Sequence, residues 1–148
     1  MDIYLPLLDY PITTRTDSAG VPQVYDPVRR RWFVLTPEEH VRQHLLRYLI
    51  KVGYPKGMIA VEKQTGQLGQ RFDIVVYDRN HQPWLIVECK APDVPIAGYT
   101  LAQIARYHAA MPCTYWLLTN GVSAFCAQVS DSAEEALLWL SALPVYEG

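Results

Sequence analysis

The chain has 148 residues and a formal net charge of −2; half of its residues are hydrophobic and 19% are charged. This length is typical of a single domain, and the composition is that of a globular protein, not a disordered one. The slight negative charge argues against a dedicated nonspecific coat for nucleic acid, which would be strongly basic, but it leaves room for a local basic groove.

The cysteine pattern and the N-terminus bear on the compartment. Cys89, Cys113 and Cys126 lack the spacing of a disulfide framework or a zinc site. The N-terminus has no basic region followed by a long apolar run, so we expect no signal peptide. No segment reaches the roughly 20 apolar residues that a membrane helix needs. We therefore expect a cytoplasmic protein with reduced thiols and no membrane partner.

The first third of the chain predicts an arm followed by a helix. Residues 1–35 are rich in Pro, Tyr and Thr, which favours an irregular arm with one or two short strands and a hairpin at "DSAG". Thr36 then suits a helix cap, Pro37 the first helical position, and Glu39 the capping-box position three residues after the cap. Apolar residues follow at helical spacing until Gly53.

The remainder alternates strands and helices. Residues 58–63 predict one strand, and "RFDIVVYDRNHQPWLIVECKA" predicts two more around a turn. "TLAQIARYHAAM" predicts a helix capped by Thr100, and two strands then meet at Asn120-Gly121, a strong turn signal. "SAEEALLWLSAL", residues 132–143, predicts a final helix. The apolar runs fit strands covered on both faces, so we expect an α/β domain with a central mixed sheet flanked by helices.

The stretch "WLIVECKAP" ends an apolar strand with charge. Side chains two apart on a strand share a face, so Glu88 and Lys90 point together and Cys89 points away. If the preceding strand is an antiparallel neighbour, Asp73 near its start lies beside them. The two carboxylates and the lysine then form a site suited to a hard divalent cation. The simpler alternative is a structural ion pair at a strand end. A Cys89 nucleophile is disfavoured, because the thiol faces the apolar layer.

Several segments, in this order, resemble a known family: "TPEEHVRQ", "RFDIVVYD", "LIVECKAP", "AQIARYH" and "LLTNG". The acid-acid-lysine set resembles the active site of the PD-(D/E)xK nuclease superfamily. Across roughly residues 30–128 the chain is similar to the N-terminal nuclease domain of type I restriction enzyme R subunits, in a short stand-alone form. The resemblance implies a restriction endonuclease-like three-layer fold with an αβββαβ core. We expect one such domain over residues 1–148.

The resemblance also implies roles for individual residues. Asp73, Glu88, Lys90 and Gln103 are the expected catalytic residues. Mg²⁺, with Mn²⁺ as a substitute, is expected on Asp73, Glu88 and the Cys89 backbone carbonyl. Two further positions match family features: Glu39, on the first helix, where an extra acid lies near the metal, and Tyr107, in the Q-x-x-x-Y pattern. The simpler alternatives are a capping acid for Glu39, a plain helix-surface position for Gln103 and a half-buried helix aromatic for Tyr107.

The implied function is metal-dependent hydrolysis of phosphodiester bonds, most simply in DNA. Candidate nucleic-acid contacts are Arg42, Gln43 and Arg71. R subunits also carry a motor, but these 148 residues contain no P-loop, so translocation is not implied. Expected partners are DNA, a motor or specificity subunit, and a second copy in a homodimer. The alternative is a non-catalytic module of the same fold that binds nucleic acid or a partner subunit.

Overall fold

The computed structural model describes residues 2–65, 69–109, 111–130 and 137–148. Within these ranges the chain forms two sheets and two α-helices. The helices are α1 (Pro37–Lys51) and α2 (Gly98–Tyr107). The small sheet contains β1 (Thr13–Thr16), β2 (Pro22–Asp26) and β3 (Arg31–Val34). The large sheet contains β4 (Ile59–Thr65), β5 (Gln70–Tyr77), β6 (Pro83–Cys89), β7 (Tyr115–Thr119), β8 (Ala124–Val129) and β9 (Leu137–Trp139).

The N-terminal arm is more regular than predicted. The expected hairpin at "DSAG" is confirmed: β1 and β2 pair antiparallel, with Thr16 opposite Pro22. Gly20 takes a φ of +84° in the turn, a conformation that glycine adopts without steric cost. A third strand, β3, pairs antiparallel with β2, so the arm is a three-stranded sheet and not an irregular segment with one or two strands.

The large sheet is mixed, as predicted. Its strands follow the order β4-β5-β6-β7-β8-β9, and every neighbouring pair is antiparallel except β6 and β7. Those two central strands run parallel, with Val87 opposite Leu117. A parallel pair needs a long crossover connection, and the segment that contains α2 provides it.

Helices cover both faces of the large sheet. On one face, Leu45 of α1 belongs to a buried cluster with Leu85 and Val87 of β6. On the other face, Leu101 of α2 belongs to a cluster with Ile86. Successive residues of β6 thus pack in opposite layers, which is why the strand is almost continuously apolar. The predicted three-layer arrangement and αβββαβ order are confirmed.

Helix α1 begins and ends as its sequence predicts. The Thr36 hydroxyl accepts the Glu39 backbone N–H at 3.1 Å, and Pro37 occupies the first turn. Beyond the last turn, Gly53 has a φ of +108°, and the Tyr54 N–H donates to the Leu49 carbonyl at 2.9 Å. Left-handed glycine after the last turn is a common way to end a helix.

Helix α2 differs from the prediction at its start. It begins at Gly98, and Ala97 takes the cap position. Thr100 lies three residues later, where its hydroxyl accepts the Ala97 backbone N–H at 3.1 Å. The prediction of Thr100 as the cap was therefore wrong, although its hydroxyl still serves the first turn.

The prediction of a final helix over residues 132–143 was wrong in its described part. Leu137–Trp139 form β9, an edge strand in which Leu138 lies opposite Gln128 of β8. Positions 132–136 lie outside the described residues. A short apolar run fits either a buried helix segment or a strand, and here pairing with β8 extends the sheet. In the described part of the chain, no helix has the length and apolar character needed to span a membrane.

Candidate active site

The β5–β6 pair brings Asp73 to the end of β6. Ile74 lies opposite Val87 in the antiparallel ladder, so Asp73 faces the position of Glu88. Here the ladder gives way to a side-chain contact, because Asp73 Oδ2 accepts the Cys89 backbone N–H at 2.7 Å. The antiparallel neighbour relation assumed from the sequence is therefore present, and it places Asp73 and Glu88 side by side.

Burial and neighbouring acids destabilise the charged forms of both carboxyl groups. Burial raises the pKa of Glu88 to about 8, and the neighbouring Asp73 charge adds to the effect, whereas Lys90 opposes it. Burial also raises the pKa of Asp73, against the lowering effect of the Cys89 N–H and of Arg42. Two partly buried carboxyls side by side favour either a shared proton or a bound cation.

Helix α1 supplies the cation nearest to Asp73. The Arg42 guanidinium forms a two-point ion pair with Glu39, at 2.6 and 2.8 Å. Its Nη1 donates to Glu62 and approaches Asp73 Oδ1 at 3.4 Å. Burial alone would lower the pKa of Arg42, but the bonds to Glu39 and Glu62 raise it. The guanidinium is therefore a permanent positive charge between three acids.

A second buried acid joins this network to the small sheet. Asp26, at the end of β2, has no exposed side-chain surface. Its carboxylate accepts hydrogen bonds from the Arg29 guanidinium and from the Gln43 amide, each at 2.8 Å. Arg29 also pairs with Glu39 at 3.1 Å. Continuous ion pairs and hydrogen bonds therefore run from the small sheet, through α1, to Asp73.

Glu62 is a site residue that the sequence analysis missed. Its φ is +56°, a backbone conformation that residues other than glycine rarely adopt. The β4–β5 ladder pairs Val61 with Ile74 and Lys63 with Phe72, and it skips Glu62. Glu62 therefore lies unpaired across from Asp73, with its carboxylate held by Arg42. An acid in a strand gives no sequence signal of such a kink.

The structure does not place Glu39 as predicted for a metal ligand. Both Glu39 oxygens already accept hydrogen bonds: Oε1 from Arg42 and Arg29, and Oε2 from Arg42 and Gln43. The capping alternative is correct in part. The Glu39 backbone N–H does bond to the Thr36 hydroxyl, but the Glu39 carboxylate accepts from Arg29 and Arg42 and does not return to the cap. Gln43 is fully buried, so its side chain offers no surface for the predicted nucleic-acid contact. The guanidinium of Arg42 donates its hydrogen bonds to the neighbouring acids and not to a nucleic acid.

The remaining candidates lie at the surface. Gln103 and Tyr107 are both exposed on α2, one helical turn apart, and 84% of Tyr107 is accessible. In the described part of the chain neither one hydrogen-bonds to Asp73, Glu88 or Lys90. The expectation that Tyr107 is half-buried was wrong. Arg71 is also exposed, 3.8 Å from the Glu62 carboxylate, so its predicted nucleic-acid contact stays a prediction.

Within the ranges that the structure describes, the donor set that best fits a hard divalent cation is the pair Asp73 and Glu88. Among the described residues, no three His, Cys, Asp or Glu side chains converge as a metal-binding group. Asp73 and Glu88 do provide adjacent carboxylate oxygens, the ligand type that Mg²⁺ prefers, and Mg²⁺ completes its shell with water or substrate oxygens. Cys89 is not a competing nucleophile, because its side chain is buried and burial raises the pKa of its thiol.

Comparison with known families decides what this arrangement belongs to. Residues 37–144 match a family model described as "Type I restriction enzyme R protein N terminus (HSDR_N)". The chain belongs to this family. The match begins at the first residue of α1 and extends past β9, so it includes Asp73, Glu88 and Lys90. Family membership points to a nuclease-related function in restriction. A search of curated proteins found no match.

Proposed function

We propose that this protein is a metal-dependent nuclease that hydrolyses phosphodiester bonds in DNA as part of a restriction system. The observation that carries the proposal is the strand register that sets Asp73 beside Glu88, at the strand end that also bears Lys90. Neighbouring like charges are costly when they are partly withdrawn from water, and a structural role alone gives no reason to place them together. A bound cation offsets that cost.

Asp73 and Glu88 would hold Mg²⁺ with the help of the Cys89 carbonyl. When bound, Mg²⁺ neutralises charge on the phosphate and lowers the pKa of an attacking water. The Cys89 N–H fixes Asp73 Oδ2, which leaves Oδ1 on the side of Arg42. Lys90 supplies a positive charge close enough to act on Glu88. Its ammonium can therefore orient the nucleophile or stabilise the charge that develops on the phosphate.

The groups around this centre suit an extended anionic substrate. Arg71 is exposed on β5 beside the acids, and it is the remaining accessible candidate for a phosphate contact. Gln103 and Tyr107 present an amide and a ring on the exposed surface of α2, where they would contact the nucleic acid. The restriction context adds a motor or specificity subunit as a proposed partner, and a homodimer stays an untested prediction.

The test is cleavage of supercoiled plasmid and of labelled single strands with Mg²⁺ or Mn²⁺. Wild type is compared with Asp73→Asn and, as a matched control, with Asp93→Asn, because Asp93 is an exposed acid in the loop after β6. We expect cleavage by wild type and the control, and none by Asp73→Asn. Wild type that neither cleaves nor gains thermal stability from metal would instead leave a non-catalytic module of the same fold.

A further inference from the structure

We propose that Arg42 takes the place of a second metal ion, so that the centre holds a single divalent cation. This inference rests on the proposed function, because it concerns the number of ions at the same site. Many centres for phosphodiester hydrolysis use two ions about 3.5–4 Å apart, with acids surrounding both. Here the acids surround one position between Asp73 and Glu88, and on the other side of Asp73 they surround a guanidinium.

Glu39 is the acid that could most simply serve a second ion, but its oxygens are saturated. Arg42 bonds both of them, at 2.6 and 2.8 Å. Arg29 adds a bond to Oε1 at 3.1 Å and Gln43 adds one to Oε2 at 3.1 Å. A two-point pair between guanidinium and carboxylate is directional and strong, and this one is buried. A metal ion would have to break it.

Glu62 is held in the same way. The left-handed backbone at Glu62 carries its side chain out of the β4–β5 ladder and onto Arg42 Nη1. The same nitrogen lies 3.4 Å from Asp73 Oδ1. One guanidinium therefore spans Glu39, Glu62 and Asp73, the three carboxylates that a second ion would share.

Charge reinforces this geometry. Arginine stays protonated at every accessible pH, so a second divalent ion placed among these three acids would meet a fixed like charge at close range. An ion between Asp73 and Glu88 would lie on the other side of Asp73, where the one bond from Arg42 to this pair is the long one to Asp73 Oδ1. Arg42 would thus be a positioning residue that holds Asp73 and excludes the second ion.

The experiment counts bound ions. Mn²⁺ is titrated into the metal-free protein, and bound ion is followed by loss of the free Mn²⁺ signal in electron paramagnetic resonance and by calorimetry. The variants are Arg42→Gln, which removes the charge but keeps a hydrogen-bonding side chain, and Arg71→Gln as control. Arg71 is exposed and approaches only Glu62 among these acids, at 3.8 Å. Circular dichroism checks that each variant is folded.

We expect one Mn²⁺ per chain for wild type and for Arg71→Gln, and a second Mn²⁺ with spin-coupled signals for Arg42→Gln. Two ions on wild type that cleaves DNA would overturn the inference and leave the proposed function intact. One ion on folded Arg42→Gln would overturn it too. If Arg42→Gln does not fold, the wild-type count alone decides. No ion on wild type, together with no cleavage, would defeat the proposed function and this inference with it.

Discussion

Asp26 is a fully hydrogen-bonded acid of the buried network. Its carboxylate accepts the backbone N–H groups of Val28 and Arg29, at 2.8 and 2.7 Å, besides the side chains of Arg29 and Gln43. We expect Asp26→Asn to cost about 3 kcal/mol of unfolding free energy, because it removes the charge of one of the two buried carboxylates that pair with Arg29. Urea unfolding measures the loss.

Asp17→Asn is the control for that change. Asp17 also accepts two backbone N–H groups, each at 2.9 Å, but in an exposed turn and with no ion pair. Asp17→Asn should lower the free energy of unfolding by no more than about 1 kcal/mol. Equal losses for the two variants would mean that Asp26 acts only as a turn residue.

Asp26 also gives the protein a predicted sensitivity to acid. Burial alone would raise the pKa of Asp26, but hydrogen bonds from the Arg29 backbone, Gln43 and the Arg29 side chain outweigh it and hold the pKa below its ordinary value. A lowered pKa contributes stability that is present above the unfolded-state pKa and lost as the pH falls through the folded-state value. Wild type should therefore lose stability below about pH 4, and Asp26→Asn should lose less over that range.

Acid unfolding measured at several pH values in urea tests this prediction. The comparison uses the difference in unfolding free energy between neutral pH and pH 3. An equally steep loss in Asp26→Asn would show that other carboxyls, not Asp26, set the acid limit.

At this scale, local rules predicted only part of the site. The alternation of a strand puts Glu88 and Lys90 on one face, and an antiparallel neighbour puts Asp73 beside them; these relations depend on short-range geometry. The roles of Arg42 and Glu62 could not be predicted in this way. They depend on a left-handed kink in β4 and on how closely α1 approaches the sheet, which are products of tertiary packing.

Among the elements, α1 carries Glu39 and Arg42, so its start matters to the site. Thr36 is exposed, and its hydroxyl accepts the Glu39 N–H. We expect Thr36→Ala to cost about 1 kcal/mol, the usual value of a lost helix cap, and Thr36→Ser to cost far less because it keeps the hydroxyl. Thermal unfolding of the two variants measures the difference, and equal losses would contradict the capping role.

The turn between β7 and β8 makes a second test at this scale. Gly121 has a φ of +86°, and an added Cβ would lie 3.2 Å from Val41 of α1. We expect Gly121→Ala to cost about 1–2 kcal/mol from the left-handed backbone, and more from the contact. Gly20→Ala has the same backbone cost at a φ of +84° but meets nothing within 4 Å. Urea unfolding should therefore rank Gly121→Ala as the more damaging, and the reverse order would contradict the packing of this turn on α1.

Elements with strong boundary signals were predictable and weakly marked ones were not. Pro37 and Gly53 bracket α1, and Asn120-Gly121 marks the β7–β8 turn; the Asn120 side chain accepts the N–H groups of Val122 and Ser123. Residues 137–139 have no such signals. Their apolar run suits a helix or a strand, and pairing with the edge of β8, which is invisible in the local sequence, determines which one forms.

At the scale of the whole molecule, the sheet fixes the relative positions of the acids in the candidate centre. The central strands β6 and β7 are covered on both faces, and Asp73 and Glu88 extend from strands of this layer. Arg42 reaches Asp73 from a helix that packs on the sheet. The fold class was predictable because continuous apolar runs indicate strands buried on both sides. The three-stranded N-terminal sheet was not, because its strands carry little hydrophobic pattern.

The central claim is that the charges at the end of β6 perform catalysis and are not a structural ion pair. The most direct test is the single-turnover rate of phosphodiester cleavage with Mg²⁺ for wild type, Lys90→Ala and Lys63→Ala. Lys63 is the control, an exposed lysine on β4. We predict that Lys90→Ala still binds metal but cleaves about 100-fold more slowly or worse, while Lys63→Ala cleaves like wild type. Undiminished cleavage by Lys90→Ala would contradict the account.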